Sequence, residues 1–307
     1  MANEDLIGIV TVTYNSAGVL PDFLRCIAGQ SYRKFLLFVV DNASSDKTLA
    51  ILRDWHDERL KVVANETNHG VAEGNNQGIR AALAAGCESV LLLNNDTEFG
   101  SELIAGLLRG MDKFAADMTC PKMLYYDEPK RIWAAGGSFQ PWLGYRTIHL
   151  GVDELDQRQY DNPRQVTYVP TCCVLIRRRV FAKIGLMDDL YFVYVDDVDF
   201  MYRALKAKMI LVYLPELELL HKVGRLTGGD TSPFHIRYCT RNRVYFTLKH
   251  FGILGGIGIA LLYQCKVLLD FAARRLTFSG ILLKERSILE GISLWRSNRI
   301  RELDQNP

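Results

Sequence analysis

Three aspartates stand within four positions in the second half of the chain. Asp196, Asp197 and Asp199 follow an aromatic and apolar run that begins at Tyr191. Carboxylates packed against an apolar wall repel one another and burial raises at least one of their pKa values, so such a cluster is typical of base chemistry or metal binding. A solvated helix N-terminus also favours acids, through the helix dipole. The pattern alone leaves both interpretations open.

A fourth acid lies at the tip of a predicted strand. Asn94, Asn95 and Asp96 directly follow the apolar residues 90–93. A carboxylate at this position can hold a divalent cation through oxygen, and it can equally cap the helix that follows. His221 ends another apolar run and could complete a metal site, whereas a single histidine is more often structural.

Polar residues also follow the first two predicted strands. They are Thr13, Tyr14 and Asn15 after the first strand, and Asp41, Asn42 and Ser44 after the second. In an open α/β sheet, ligands bind beyond the carboxyl ends of the strands. Together with the group that ends at Asp96, these clusters predict a ligand crevice along one edge of the sheet.

A glycine-rich polar stretch precedes the third predicted helix. Asn68 and Gly70 are followed by Gly74, Asn75 and Gly78. Exposed backbone amides in such a stretch suit a phosphate or a sugar hydroxyl, and a plain loop that caps the helix is the alternative.

The elements that must position these residues alternate between short apolar runs and helical patterns. This alternation predicts a mostly parallel sheet flanked by helices, the α/β class. The predicted strands are 6–13, 35–40, 60–64, 90–93, 166–176, 210–214 and 217–220. The predicted helices are 20–27, 48–55, 76–85, 102–114, 178–184 and 197–206, and the chain after 221 reads as helical.

Composition restricts the class of protein. The 307 residues are 49% hydrophobic with a net charge of +2, which describes a globular protein and demands no nucleic-acid partner. Residues 222–307 carry 14 Lys and Arg against 6 Asp and Glu, so the C-terminal region is basic whereas residues 1–221 are acidic. Seven cysteines without a C-x-x-C pair, an acidic N-terminus and no apolar run longer than 15 residues predict a cytoplasmic protein. A position at the inner face of the membrane is compatible with the same features.

The chain lacks the sequence motifs of several enzyme classes. Thr-Tyr-Asn-Ser-Ala-Gly follows the first strand in place of G-x-G-x-x-G, which argues against a dinucleotide-binding oxidoreductase. The chain also contains neither G-x-x-x-x-G-K-[ST] nor G-x-S-x-G, the motifs of P-loop NTPases and of common serine hydrolases.

The motifs together resemble the inverting nucleotide-sugar glycosyltransferases of family 2, which have the GT-A fold, and within them the bacterial rhamnosyltransferase-like enzymes. The matching segments are Val-Thr-Tyr-Asn (12–15), Val-Asp-Asn-Ala-Ser-Ser-Asp (40–46), Asn-x-Gly (68–70), Gly-Asn-x-x-Gly (74–78), Leu-Asn-Asn-Asp-Thr (93–97), Tyr-Val-Asp-Asp-Val-Asp (194–199), Arg203, His221 and Arg-Asn-Arg (241–243). They cover about residues 6–250 in the order of the family.

The resemblance implies a role for each motif. Asp197 matches the general base, with Asp196 at the preceding acidic position, and Asp96 matches the last acid of the D-x-D metal motif, whose first acid is Asn94 here. His221 matches a metal-binding histidine of some members, and the metal would be Mn²⁺ or Mg²⁺. The residues expected to bind the nucleotide sugar are Thr13, Tyr14, Asn15, Asp41, Asn42, Ser44, Asn68, Gly70, Asn75, Asn94 and Asn95.

The implied reaction moves a sugar from a nucleoside diphosphate donor to a hydroxyl of a glycan, lipid-linked or polymer acceptor. dTDP-rhamnose is the favoured donor, followed by UDP-sugars and other dTDP-sugars. An inactive nucleotide-sugar binding or regulatory protein and a sugar-phosphate nucleotidyltransferase are the alternatives. The nucleotidyltransferase would need a glycine-rich, basic loop at the position of Tyr14, Asn15 and Ser16.

The expected organisation is a GT-A catalytic domain over 1–221 and a C-terminal helical region over 222–307. The first domain divides into a nucleotide-sugar half (1–120) and an acceptor half (121–221). In the helical region, Lys266, Asp270 and Arg274 form a polar stripe on a helix predicted over 259–276. This helix would either contact a membrane surface or pack on the core, and a homo-oligomer is also compatible with the sequence.

Overall fold

The computed structural model describes residues 5–141, 145–223, 232–272 and 278–305. The chain forms two compact units. The first comprises 1–140, 147–192 and 196–223, and the second comprises 141–146, 193–195 and 224–307.

The first unit is built on one large sheet. Its strands are β1 (Ile7–Thr13), β2 (Phe35–Asp41), β3 (Leu60–Ala64), β4 (Ser89–Leu93), β5 (Thr97–Phe99), β6 (Met118–Tyr125), β7 (Ile132–Ala134), β10 (Arg164–Val166), β11 (Cys173–Arg177) and β12 (Leu211–His221). Strands β8 (Gly137–Gln140) and β9 (Arg146–His149) pair separately.

The order along the large sheet is β10-β12-β6-β11-β4-β1-β2-β3, with β5 beside β12 and β7 beside β6. The pairs from β4 to β3 and the pair β6–β12 are parallel, whereas β11 is antiparallel to both β4 and β6. Every residue of β4 is buried, and so is all of β1 except Val12, because helices cover both faces of this part of the sheet. The predicted α/β class, with a mostly parallel sheet and a C-terminal helical region, is confirmed.

In the described part of the chain, six α-helices accompany the sheet. They are α1 (Leu20–Ala28), α2 (Thr48–Asp54), α3 (Gly70–Ala84), α4 (Leu103–Lys113), α5 (Arg178–Ile184) and α6 (Asp196–Lys206). Helix α3 begins six residues before the predicted start, so residues 70–75 of the glycine-rich stretch belong to the helix. Its glycines serve close packing: a Cβ on Gly74 would lie 2.8 Å from the Val12 side chain, and one on Gly78 would lie 2.3 Å from Val10.

Two strand predictions in the acceptor half are wrong in detail. The run 166–176 is not one strand, because the chain leaves the sheet between β10 and β11, where Pro170 has no N–H to donate. The two strands predicted around Pro215 form the single strand β12, and its pairing with β6 shifts register between Leu214 and Glu218. The other strands of this half, β6 to β9, were not predicted.

The second unit consists mainly of two long helices, α7 (Pro233–Ala272) and α8 (Phe278–Gln305). Helix α7 is interrupted at Gly252, whose φ of 66° and ψ of −165° are not helical. Val244 and Leu248 of α7 pack with Ile288 of α8 in a small apolar core, against which Trp295 also lies. Over the described residues, no helix is both long and apolar enough to cross a membrane. The predicted stripe of Lys266, Asp270 and Arg274 lies outside the side chains that the structure describes.

Candidate active site

The three clustered aspartates have different surroundings at the start of α6. Asp199 is fully buried and accepts hydrogen bonds from Arg203 Nε (2.8 Å) and from the Tyr191 hydroxyl (3.2 Å). Arg203 also donates to the carbonyl of Leu186 at 2.8 Å. Asp199 and Arg203 thus form an i,i+4 ion pair, and the hydrogen bonds of both residues tie α6 to the segment before it.

Asp196 and Asp197 form a coupled pair. Asp196 is 4% exposed, and its burial, aided by the neighbouring Asp197 charge, raises its pKa to about 8. Asp197 is only partly buried. Burial raises its pKa as well, while hydrogen bonds from the Tyr168 hydroxyl to Oδ2 (2.6 Å) and from the Val198 N–H to Oδ1 (2.8 Å) favour its charged form. Asp196 is therefore held mainly protonated at neutral pH, while the hydrogen bonds to Asp197 oppose the rise in its pKa.

The backbone just before these acids is strained. Phe192, Tyr194 and Val195 all have positive φ values of 62–65°, which non-glycine residues rarely adopt. Within the second unit, Asn242 is fully buried and its side-chain amide donates to the carbonyls of Val193 (2.7 Å) and Tyr194 (2.8 Å). These hydrogen bonds offset part of the strain, which gives the Arg-Asn-Arg motif a structural role.

A chain of rings links Asp197 to His221. The Tyr168 ring stacks on His149 at 5.7 Å, and Trp133 lies edge-on to both His149 (5.0 Å) and His221 (4.4 Å). Burial lowers the pKa of His149, so its ring is held neutral. Sequence reasoning missed Tyr168, His149 and Trp133, because no local pattern distinguishes them. Only the pairing of their strands and loops brings these rings together.

Asp96 and His221 meet at the ends of neighbouring strands. β5 pairs with the end of β12 so that Thr97 lies opposite His221, and the Lys222 N–H donates to the Asp96 carbonyl at 2.9 Å. Asp96 Oδ1 lies 3.4 Å from His221 Nε2, and both residues are 7% exposed.

Three buried polar atoms around this pair have no hydrogen-bond partner in the described part of the chain. They are Asp96 Oδ1, Asn95 Oδ1 and His221 Nδ1. Such atoms normally find partners, so a carboxylate, an amide oxygen and an imidazole left without one fit a divalent cation. Among the described residues, no group of three or more His, Cys, Asp and Glu side chains could hold a metal, so other ligands of the ion would come from a bound diphosphate and water.

The loops after β1 and β2 are joined by a hydrogen-bond network. Asp41 is fully buried and accepts from the hydroxyls of Thr13 (2.8 Å) and Ser44 (2.6 Å). The Asn15 N–H donates to the Ser44 hydroxyl at 2.8 Å, while the Tyr14 ring beside it is 49% exposed. The structure thus brings these five predicted residues together at one end of the sheet, with Tyr14 free to stack on a planar base.

Asn42 connects this network to the start of α3. Its side-chain amide donates to the Gly70 carbonyl at 2.9 Å, and Asn68 Oδ1 accepts from the Gly70 N–H at 2.8 Å. Gly70 has a φ of 84°, and a Cβ there would lie 2.3 Å from the Phe192 carbonyl oxygen. Only glycine fits this position, because both the backbone conformation and the space exclude a side chain.

The other residues predicted to bind the nucleotide differ from one another in burial and in the element that carries them. Asn75 is buried inside α3, away from the loop in which it was expected. Asn94 is exposed, and its N–H donates to the Cys172 carbonyl at 2.9 Å. The Asn95 amide donates to the Val12 carbonyl at 2.5 Å, which fixes the turn that carries Asp96.

Comparison with known proteins identifies the family. The model of glycosyl transferase family 2 matches residues 8–185, which run from β1 through β11 and include the loops after β1 and β2. The chain belongs to glycosyl transferase family 2. It is therefore a glycosyltransferase, and the resemblance found in its motifs is confirmed.

Two curated relatives are rhamnosyltransferases. The N-acetylglucosaminyl-diphospho-decaprenol L-rhamnosyltransferase of Mycobacterium tuberculosis is 24% identical over 269 residues, which cover 81% of this chain and 86% of the relative. The dTDP-rhamnosyl transferase RfbF of Shigella flexneri is 23% identical over 215 residues, 70% of this chain and 68% of the relative.

The fold is also found in solved glycosyltransferases. A mannosyltransferase from Pyrobaculum calidifontis, solved with GDP-Man and Mn²⁺, has a TM-score of 0.56 and 14% identity, with 95% of this chain and 86% of that chain covered. At this identity the likeness concerns the fold alone, and it confirms the GT-A type.

Proposed function

We propose that this glycosyltransferase inverts the anomeric centre as it moves rhamnose from dTDP-rhamnose to a hydroxyl of a lipid-linked glycan or another glycan polymer. The observation that carries the mechanism is the difference among the clustered acids. Asp196 and Asp199 are buried, whereas Asp197 is partly exposed and held by Tyr168. It is the one acid of the three that an acceptor hydroxyl can reach.

In the proposed reaction, Asp197 accepts the proton of the acceptor hydroxyl. The acceptor oxygen forms a bond to the anomeric carbon while the bond from that carbon to the diphosphate breaks, in one in-line displacement without a covalent sugar intermediate. A base must be unprotonated at working pH and basic enough to take the proton. Burial, which raises the pKa of Asp197, and Tyr168, which opposes that rise, together serve these two requirements.

Asp96 and His221 are the residues that would hold a divalent cation, with Asn95 Oδ1 beside them. When bound, the cation neutralises negative charge on the diphosphate leaving group. The imidazole favours Mn²⁺ over Mg²⁺, because Mg²⁺ prefers oxygen ligands. The chain's own part is to keep a carboxylate and an imidazole side by side at the ends of β4 and β12.

The donor assignment rests on the two rhamnosyltransferase relatives and on the loops after β1 and β2. A thermal-shift panel of dTDP, UDP and GDP with Mn²⁺ tests it. A ligand at about 100 times its Kd stabilises a protein by about 2.7 kcal/mol, and we expect dTDP to give the largest shift. A larger shift with UDP or GDP contradicts the dTDP assignment. Transfer from dTDP-rhamnose to a glycan acceptor, followed by mass spectrometry, separates an enzyme from an inactive binding protein.

Removal of the Tyr168 hydroxyl should change how activity depends on pH. Its hydrogen bond favours ionised Asp197, so Tyr168→Phe should raise the pKa of Asp197 further. Because the base works only when it is unprotonated, the acid limb of the kcat/KM profile should move to higher pH. A hydrogen bond to a charged group is worth about 1.5–3 kcal/mol, which corresponds to about one to two pH units.

Tyr213→Phe is the matched control for this experiment. Tyr213 is fully buried, but its hydroxyl has no hydrogen-bond partner in the described residues, so its loss should leave the profile unchanged. Asp196 and His149 also act electrostatically on the Asp197 site and stay in place in both variants. If Tyr168→Phe retains the wild-type acid limb, Tyr168 packs in the core without tuning the base.

A further inference from the structure

The second unit exposes an apolar stripe on the part of α7 that follows Gly252. We call it the apolar face, and it comprises Ile253 (57% exposed), Leu254 (85%), Ile257 (52%), Leu261 (62%) and Leu262 (58%). The spacing places these side chains on one side of the helix. Single exposed leucines are ordinary on protein surfaces, whereas a continuous stripe marks an interaction site.

The opposite side of the same helix packs inward. A Cβ on Gly256 would lie 2.2 Å from the Leu248 side chain, and one on Gly255 would lie 2.4 Å from Phe251. The helix therefore turns Gly255 and Gly256 toward its own unit and its large apolar side chains outward. This orientation is the reverse of what a helix buried in a core would show.

The segment of the sequence that contains the apolar face is basic. No Asp or Glu occurs from position 231 to 269, while five basic residues do, among them Arg243, Lys249 and Lys266. Residues 222–307 as a whole carry 14 Lys and Arg against 6 Asp and Glu. An apolar stripe within a basic segment is the composition of helices that lie in the interface of an anionic membrane.

We propose that the apolar face inserts into the surface of an anionic lipid bilayer. A bilayer with acidic headgroups satisfies both features, because the side chains enter the acyl boundary while Lys and Arg contact phosphate groups. A second copy of this chain would meet the face with the same excess of positive charge, which disfavours pairing. Insertion into the surface needs no spanning segment, and none is found in the described helices. The proposal rests on the helix alone and is independent of the donor assignment.

Flotation with liposomes tests the proposal on the full chain without nucleotide. We expect the wild type to float with vesicles of phosphatidylglycerol and phosphatidylcholine at low salt, and to float less at 0.5 M NaCl or with phosphatidylcholine alone. The triple variant Leu254→Gln, Ile257→Gln, Leu261→Gln should bind these vesicles at least about tenfold more weakly, since three apolar side chains no longer enter the bilayer.

Leu155→Gln is the matched control, because Leu155 is 53% exposed but lies in the first unit. This variant should float like the wild type. Circular dichroism and a thermal melt without nucleotide show that the triple variant is folded. No flotation of the wild type, or undiminished flotation of the folded triple variant, overturns the proposal. A wild-type dimer in light scattering that the triple variant dissociates, without lipid binding by either, assigns the face to a second copy instead.

Discussion

Replacement of Asp197 by Asn should lower the rate of sugar transfer by about 10² to 10⁴. The amide keeps the shape of the carboxylate and can still receive the hydrogen bond of Tyr168, but it cannot accept the acceptor's proton at neutral pH. Donor binding should change little, because the loops after β1 and β2, which are proposed to bind the nucleotide, do not include this residue. Steady-state kinetics with a nucleotide titration separate the two effects: kcat should fall while the affinity for dTDP is retained.

The neighbouring acids are built-in controls. Burial raises the pKa of Asp196 to about 8, so this side chain is already protonated at neutral pH and Asp196→Asn should have a small effect on rate. Asp199→Asn weakens the contact with Arg203 and should lower thermal stability more than chemistry. A dead Asp196→Asn enzyme beside an active Asp197→Asn enzyme would place the base one residue earlier. Activity of all three variants would leave the cluster as a helix start.

Loss of the Asp96 carboxylate should be the second large effect. Asp96→Ala removes the only anionic side chain of the Asp96 and His221 pair, so transfer should fall by at least about 10², and Mn²⁺ should bind more weakly in calorimetric titration with dTDP present. EDTA should abolish the wild-type activity, and added Mn²⁺ should restore it. His221→Ala should weaken the metal less, because it removes a neutral ligand.

The control for charge alone is Asp54→Ala, an exposed aspartate at the end of α2. It should match the wild type in rate and in Mn²⁺ affinity. Full wild-type activity in excess EDTA would contradict the metal assignment. Asp96 would then be a carboxylate that only shapes the turn between β4 and β5.

Several elements could be predicted from local pattern because their periodicity is uninterrupted. β1, β2 and β4 are nearly continuous apolar runs, and such runs form central strands of parallel sheets. The polar residues that follow these strands were expected to bind a ligand, because parallel strands direct their carboxyl ends to one edge of the sheet. The acidic start of α6 was equally visible from its spacing.

The mistakes have identifiable physical causes. Gly74 was placed before the predicted helix, yet it lies within α3, because only a residue without a side chain allows this helix to pack so closely on β1. Pro215 suggests a strand end, yet β12 continues past it with a shift in register. At the glycine, tertiary packing overrides an unfavourable helix propensity of about 1 kcal/mol or less. At the proline, an irregularity in the strand pairing accommodates the residue.

The sequence by itself determined the chemical groups of this protein and their order: an acidic cluster, an aspartate and a histidine at strand tips, and a family whose enzymes transfer sugars. Only the tertiary structure decided how these groups differ. It buries Asp196 and Asp199 but leaves Asp197 partly exposed, and it places the Tyr168 hydroxyl 2.6 Å from Asp197. The physical reason is that burial and hydrogen bonding depend on neighbours distant in the chain. Tyr168 and Asp197 are 29 residues apart, and no local pattern encodes their contact.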